Sequence, residues 1–127
     1  MNALDQFPEN LCQNDMQKMV NIIEGKSNIT LRILDWFVTH YIKNIGMDDI
    51  HSSYKSKLSF YKKRHFDPFR RLDRLDYKYV INGEECELLT SVGQLNFFRW
   101  IFENNIMNIV EEHLDQIMNH LYNYINK

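Results

Sequence analysis

The sequence has little of the material that several functional classes require. Its 127 residues include only two cysteines, two prolines and four glycines. Cys12 and Cys86 lie far apart and form no CxxC pair, so a disulfide-rich scaffold is excluded. Reduced thiols are expected, although a single bridge between the two stays open. Without a Walker or GxGxxG pattern, the few glycines predict no phosphate-binding loop.

Long apolar runs are also missing. The longest, such as residues 36–38 and 100–102, span only a few positions, whereas a transmembrane helix needs about 20. No membrane-spanning helix is therefore predicted. Residues 1–10 contain two acidic residues and no basic one, which is the wrong charge for a secretory or mitochondrial signal. We therefore expect a protein of a cytosol-like compartment.

The titratable side chains form no recognisable catalytic or metal-binding motif. Of the five histidines, His113 and His120 are two helical turns apart, and this separation of about 10 Å is too large for one ion. Cys86 falls in the middle of a predicted strand and Cys12 on an apolar helix face. Neither has the basic sequence neighbour that activates a nucleophilic thiol. We expect a protein that is not an enzyme, with no catalytic residues, no metal and no cofactor.

What is present is enough apolar material for one packed domain. Hydrophobic residues make up 44% of the chain and aromatic residues 13%, and a chain of this length normally forms one core. We predict a single globular domain over residues 27–127. Residues 1–26 are predicted to form an N-terminal helical extension, which could be only loosely attached.

Hydrophobic periodicity predicts an α+β fold, with three to four helices packed on a short antiparallel β-hairpin or small sheet. Helical patterns cover residues 8–24, 30–44, 53–64, 92–103 and the chain from Ile106 onward. For the third, a strand-like start near Ile50 stays open.

The region between the third and fourth helical patterns predicts a hairpin. Residues 76–90 alternate on either side of Asn82-Gly83, the preferred two-residue turn. Ser91 and Gln94 then form a capping box at the start of a short apolar helix.

Positive charge is concentrated in one stretch, residues 51–78, which we call the basic belt. Its net charge is +6, whereas residues 1–50 sum to −3 and residues 79–127 to −5. Lysine and arginine release counterions from phosphates, and exposed aromatic rings stack on unpaired bases. We therefore predict nucleic-acid binding through ten side chains: Lys55, Lys57, Phe60, Tyr61, Lys62, Lys63, Arg64, Arg70, Arg71 and Arg74.

Another interpretation of the belt stays open at this point. Its apolar residues could all be core, leaving the lysines as a solvated helix face; these residues are Tyr54, Leu58, Tyr61, Phe66 and Phe69. The arginines could pair with Asp67, Asp73, Asp76 or acidic residues of the last helix. If about six phosphates were neutralised, the logarithm of the affinity should fall with the logarithm of salt at a slope near −5.

Three segments carry a resemblance to a known family: residues 27–41 (SNITLRILDWFVTHY), residues 54–58 continuing to 66–71 (YKSKL and FDPFRR), and residues 90–100 (TSVGQLNFFRW). Together they resemble a small uncharacterised protein family of nucleocytoplasmic large DNA viruses, the giant viruses that include the mimiviruses. The resemblance covers roughly residues 27–112. It implies a viral protein of the host cytoplasm, the viral factory or the virion, and it assigns no catalytic residue.

Two functional hypotheses follow. The first is a non-enzymatic viral protein that binds nucleic acid through the basic belt. The alternative is a protein–protein interaction or structural virion module, with a viral or host partner or as a homo-oligomer. Its motivation is the high aromatic content of a small domain, which can leave an apolar patch exposed.

Overall fold

The computed structural model describes residues 12–61, 65–69 and 74–126 of the chain. Within these ranges the elements are α1 (Gln13–Ile23), α2 (Leu31–Trp36, continued by a π-helical segment, Phe37–Tyr41, and by Ile42–Asn44), α3 (Asp48–Tyr61), β1 (Arg74–Ile81), β2 (Glu84–Ser91), α4 (Val92–Glu103), α5 (Ile106–Glu112) and α6 (Leu114–Ile125). The predicted α+β class and hairpin are confirmed. The described residues form six helices, more than the three to four predicted.

Part of the difference arises at His113, where the single long helix predicted from Ile106 is divided. His113 has φ −112° and ψ 18°, outside helical values. Its N–H still bonds the Ile109 carbonyl (3.1 Å), and its carbonyl still accepts from the N–H of Ile117 (2.9 Å). Because the side-chain periodicity continues across this local change in backbone angles, the sequence pattern does not reveal the break.

Helix α3 begins at Asp48, five residues before the predicted start, and has no strand-like residues near Ile50. Asp48 and Asp49 occupy its first turn, where carboxylates interact favourably with the helix dipole. The apolar stripe from which the helix was predicted starts later than this polar first turn.

The start of α1 corrects the prediction for Cys12. Cys12 is exposed and caps the helix, its Sγ accepting a hydrogen bond from the N–H of Asp15 (3.4 Å). It therefore does not lie on the apolar face, which Met16, Met19 and Val20 form. The predicted start of this helix at residue 8 lies outside the described residues.

The hairpin turns at Asn82 and Gly83, whose φ angles are 53° and 82°. Positive φ at both positions matches the twist of paired strands, as the Asn-Gly pair predicts. In the register of the two strands, Tyr77 is paired with Leu88, and both side chains are buried. On the opposite face Val80 and Leu89 are each 55% exposed.

The core is rich in aromatic residues and centres on α2 and α4. Phe37, Phe97 and Phe98 are fully buried, and Trp100 is 2% exposed. Its indole Nε1 donates to the Ser53 hydroxyl of α3 (3.0 Å), so α4 and α3 are joined through a buried polar contact.

Helix α1 also contributes to this core. Met19 is fully buried, and Lys18 forms an ion pair with Glu111 of α5 (2.8 Å). The boundary at residue 26 between an extension and the domain stays a prediction. No helix in the described part of the chain is both long and apolar enough to span a membrane.

Candidate nucleic-acid interface

The last turns of α3 present an aromatic ring to solvent beside a lysine. Phe60 is 76% exposed, and Lys57 Nζ lies 5.9 Å from the centroid of its ring. The same ammonium lies 5.9 Å from the ring of Tyr61, which meets Phe60 edge-on with 4.9 Å between centroids. Lys55, on the same helix, is exposed. An apolar surface and positive charge are therefore adjacent on one helix end.

Tyr61 connects this helix end to the core. Its ring stacks on Phe66 with a centroid distance of 5.7 Å and an interplanar angle of 3°, and Phe66 is fully buried. The buried Asn96 of α4 donates from Nδ2 to the His65 carbonyl (2.8 Å). The support beneath Phe60 is thus packed and hydrogen-bonded, and the half-buried Tyr61 is part of that support.

A second exposed aromatic residue lines a cavity together with the first cation of the hairpin. Phe69 is 51% exposed, and its N–H donates to Asp67 Oδ1 (2.9 Å). Together with Pro68, Arg74 and the start of α4 it lines a cavity of about 430 Å³. Phe69 was not among the ten predicted contact residues, although its position between Pro68 and a pair of arginines was visible in the sequence.

Of those ten residues, the structure describes Lys55, Lys57, Phe60, Tyr61 and Arg74. Lys55 and Arg74 are exposed, and Lys57 is half-buried. The other five lie outside the described residues: Lys62, Lys63, Arg64, Arg70 and Arg71. Their convergence with the described cations on one surface therefore stays a prediction.

The interpretation that every apolar residue of the belt is core is wrong for Phe69, which is half exposed. It is correct for Tyr54 and Phe66, which are buried, while Leu58 and Tyr61 are half-buried. Lys78, the last cation of the belt, is exposed and lies opposite Glu87 in the hairpin register.

Two carboxylates, those of Asp35 and Asp67, act on Tyr54 of α3. Burial raises the pKa of the half-buried Asp35 carboxyl, the Asp67 carboxylate raises it further, and His40 lowers it. Burial, with the charges of Asp35 and Asp67, raises the pKa of the Tyr54 hydroxyl to about 12.

The raised pKa of Asp35 predicts a gain in stability on removing its charge. The folded state binds the Asp35 proton more tightly than the unfolded state, in which the pKa of the carboxyl is near 3.8. As the pH rises above 3.8, the ionised carboxyl therefore destabilises the folded state increasingly. Asp35→Asn should therefore raise the thermal midpoint at pH 7 and change it little at pH 3, as followed by circular dichroism. Asp76→Asn, at an exposed position of β1, is the control; an unchanged or lower midpoint for Asp35→Asn at pH 7 would contradict the expectation.

Among the described residues, no group of three or more His, Cys, Asp or Glu side chains is arranged to hold a metal ion. The described residues near the end of α3 offer an aromatic surface and positive charge.

Comparison with known proteins bears on the predicted resemblance. Residues 4–127 match a family described as "Family of unknown function (DUF7197)". The chain is 42% identical over 110 residues to "Uncharacterized protein L507" of Acanthamoeba polyphaga mimivirus, in an alignment that covers 76% of this chain and 42% of the relative. The chain thus spans about two fifths of that relative's length. No solved structure matches significantly. The resemblance to an uncharacterised giant-virus family is confirmed, and the family match also includes most of the N-terminal 26 residues.

Proposed function

Because the chain belongs to the family of unknown function DUF7197, whose description names no activity, we propose a function from the surface chemistry. The protein binds single-stranded nucleic acid through the basic belt and is not an enzyme. The observation that carries this proposal is the ring of Phe60, 76% exposed and 5.9 Å from the ammonium of Lys57. The site of action belongs to the same proposal: the host cytoplasm, the viral factory or the virion.

The exposed ring supports binding because a nucleobase that covers it removes apolar area from water. Stacking between a base and an aromatic side chain contributes about 1–3 kcal/mol, and it tolerates any base because each has a π-face. Lys57 lies three residues before Phe60, on the same side of the helix. A phosphate next to the stacked base is therefore within reach of a cation.

Single strands fit this geometry better than duplexes. In a duplex the bases are already stacked on one another, so a side chain such as Phe60 reaches only their edges. An unpaired base exposes its whole face. Phe69 lines a cavity together with Arg74 and so offers a second exposed ring and cation, and we assign it to a second nucleotide of the same strand.

Removing the Phe60 ring tests the proposal. Phe60→Ala should weaken the binding of a fluorescently labelled oligonucleotide of about 12 nucleotides roughly tenfold, since one base loses its stacking surface. The measurement is fluorescence anisotropy with single-stranded DNA and RNA at about 50 mM salt, where phosphate contacts are strong.

Leu89→Ala is the matched control for this experiment, because Leu89 is an apolar side chain that is 55% exposed and lies on β2, outside the belt. It should leave the affinity unchanged. Absence of binding by the unmodified protein, or an equal loss in both variants, would contradict the proposal.

A second candidate function, self-association, is favoured by an exposed apolar stripe on α6. Met118, Tyr122 and Ile125 are 44%, 68% and 51% exposed, and their spacing places them on one side of the helix. They lie beside Ile117 and Leu121, which face the core. The apolar surface of α6 is therefore buried on one side and exposed to solvent on the other, as expected for a helix that pairs with a second copy.

Self-association through α6 predicts a dimer that a buried charge disrupts. Ile125→Glu should shift the sedimentation coefficient from dimer to monomer in analytical ultracentrifugation, because an unpaired carboxylate in an apolar interface is strongly unfavourable. Val80→Glu, at an exposed apolar position of the hairpin, should leave the dimer intact. A protein that sediments as a monomer at every concentration would exclude this candidate.

A further inference from the structure

A groove between α2 and α6 lies apart from the residues of the proposed function. It is a cavity of about 420 Å³ whose walls include Trp36, His40 and Lys43 from α2 and His120, Asn123 and Tyr124 from α6. This volume is in the range of small-molecule binding sites, about 300–1,000 Å³.

Three rings form one wall of the groove. Trp36 and His40 lie nearly parallel, at an interplanar angle of 12° with 6.0 Å between centroids. The ring of Tyr124 is tilted by 52° to His40 at 5.2 Å and by 56° to Trp36 at 6.2 Å. Trp36 is 8% exposed, whereas Tyr124 is 52% exposed. The wall therefore combines a rigid base with a ring that a ligand can cover.

The π-helical segment of α2 shapes this wall. The N–H of Ile42 bonds the Phe37 carbonyl five residues back, and the Thr39 hydroxyl donates to the Asp35 carbonyl (2.7 Å). The Thr39 hydroxyl thus adds a side-chain hydrogen bond to the backbone of this segment, an arrangement that often accompanies a bend in a helix. Single π turns within α-helices are frequent at functional sites.

The same threonine orients His40. Because the Thr39 hydroxyl gives its one hydrogen to the Asp35 carbonyl, its 2.8 Å contact with His40 Nδ1 requires the hydrogen of that contact to be on Nδ1. The neutral imidazole then has its lone pair on Nε2, available as a hydrogen-bond acceptor.

The polar lining of the groove suits a planar anion. Lys43 supplies a positive charge, His40 and His120 supply ring nitrogens for hydrogen bonds, and no carboxylate is among the described residues that line the groove. Asn44 and Asn123 add amides that donate and accept. In addition, the indole Nε1 of Trp36 is buried with no hydrogen-bond partner among the described residues.

We propose that this groove binds a nucleoside monophosphate. The base stacks on the exposed part of the Tyr124 ring, which Trp36 and His40 support from the other side. The amides of Asn44 and Asn123 bond the edge of the base, and Lys43 binds the phosphate. Aromatic walls alone fit any flat apolar ligand, and a lysine alone fits any anion. Their combination with two amides matches a heterocycle that carries a phosphate.

Isothermal titration calorimetry with adenosine monophosphate tests the proposal. We expect saturable binding that Tyr124→Ala weakens about tenfold, since the stacking ring is lost, and that Tyr124→Phe retains. Lys43→Gln should weaken binding about tenfold through loss of a charge-assisted contact. Asn119→Ala, at an exposed position of the same helix outside the groove, is the control for folding, and Lys26→Gln, at an exposed lysine outside the groove, is the control for charge.

Two further ligands identify which parts are recognised. Adenosine and ribose 5-phosphate should each bind more weakly than the complete nucleotide. No binding of adenosine monophosphate at millimolar concentration, an unchanged affinity in Tyr124→Ala, or equal affinity for ribose 5-phosphate would overturn the proposal. Phe60→Ala should leave nucleotide binding intact, so the groove and the belt can fail independently.

Discussion

Trp100→Ala is expected to lower the free energy of unfolding by about 3–5 kcal/mol, the range for removal of a large buried aromatic side chain. Trp100 is 2% exposed, and its ring contacts Tyr54 and Phe66 with centroid distances of 5.5 and 5.9 Å. The substitution also removes the donor of the Ser53 hydrogen bond. Since small domains are stable by only about 5–15 kcal/mol, this loss approaches the stability of the whole fold.

Urea denaturation followed by circular dichroism measures the effect. Phe102→Ala is the matched control, because Phe102 lies on the same helix, is half-buried and stacks on Phe98 at 6.3 Å. Its loss should be clearly smaller. Trp100→Phe keeps a ring in the core and should retain part of the stability. A loss below about 1 kcal/mol for Trp100→Ala would contradict the central position of this residue in the core.

The same residue bears on the interface. Phe66 lies between Trp100 and Tyr61, and Tyr61 supports Phe60. A variant that remains folded but loses this support should hold Phe60 less firmly. The stability of the core and the orientation of the exposed ring therefore depend on one aromatic cluster.

The parts of the fold that local chemistry determines could be predicted from the sequence. The hairpin was one, because Asn82-Gly83 is suited to two successive positive φ angles. The cap of α4 was another: the Ser91 hydroxyl accepts from the N–H of Gln94 (3.1 Å). The second hydrogen bond of the predicted capping box, from the Ser91 N–H to the Gln94 side chain, is replaced in the structure. The Gln94 side chain accepts from the Thr90 hydroxyl instead (2.7 Å).

The π-helical segment could not be predicted. The apolar spacing of Leu34, Phe37 and Val38 fits an α-helix equally well, and the bond from the Thr39 hydroxyl to the Asp35 carbonyl leaves no mark in that spacing. Cys12 was misplaced for a related reason. Its position in the sequence continues the stripe of α1, but the helix begins one residue later, at Gln13.

For the proposed interface, the sequence singles out candidate residues more readily than their separate roles. Phe60 and Tyr61 are neighbours, and only the packing of Phe66 against Tyr61 decides which ring stays exposed. The α2 side of the α2–α6 groove could have been predicted as one helix face, since Trp36, His40 and Lys43 follow the 3.6-residue period. The α6 side, which includes Tyr124, could not be predicted, because it meets α2 only through the packing of two helices far apart in sequence.

In the proposed function, the side chains of the basic belt bind phosphates, and the affinity from such contacts depends strongly on salt concentration. A single strand releases fewer counterions per phosphate than a duplex. If about six phosphates are neutralised, the logarithm of the affinity for a single strand should therefore fall with the logarithm of salt at a slope of about −4, rather than near −5. Between 50 and 200 mM salt this slope corresponds to a loss of roughly two-hundredfold. Lys55→Glu should flatten the slope by about 0.7, because one contact disappears. Lys26→Glu makes the same charge change outside the belt and should not flatten it.

The most direct measurement is therefore a titration of the unmodified protein into a labelled single-stranded oligonucleotide at several salt concentrations. Binding that weakens steeply, with a slope of about −4, is the predicted result. Binding that does not depend on salt, or no binding at about 50 mM salt, would contradict a nucleic-acid interface at this belt.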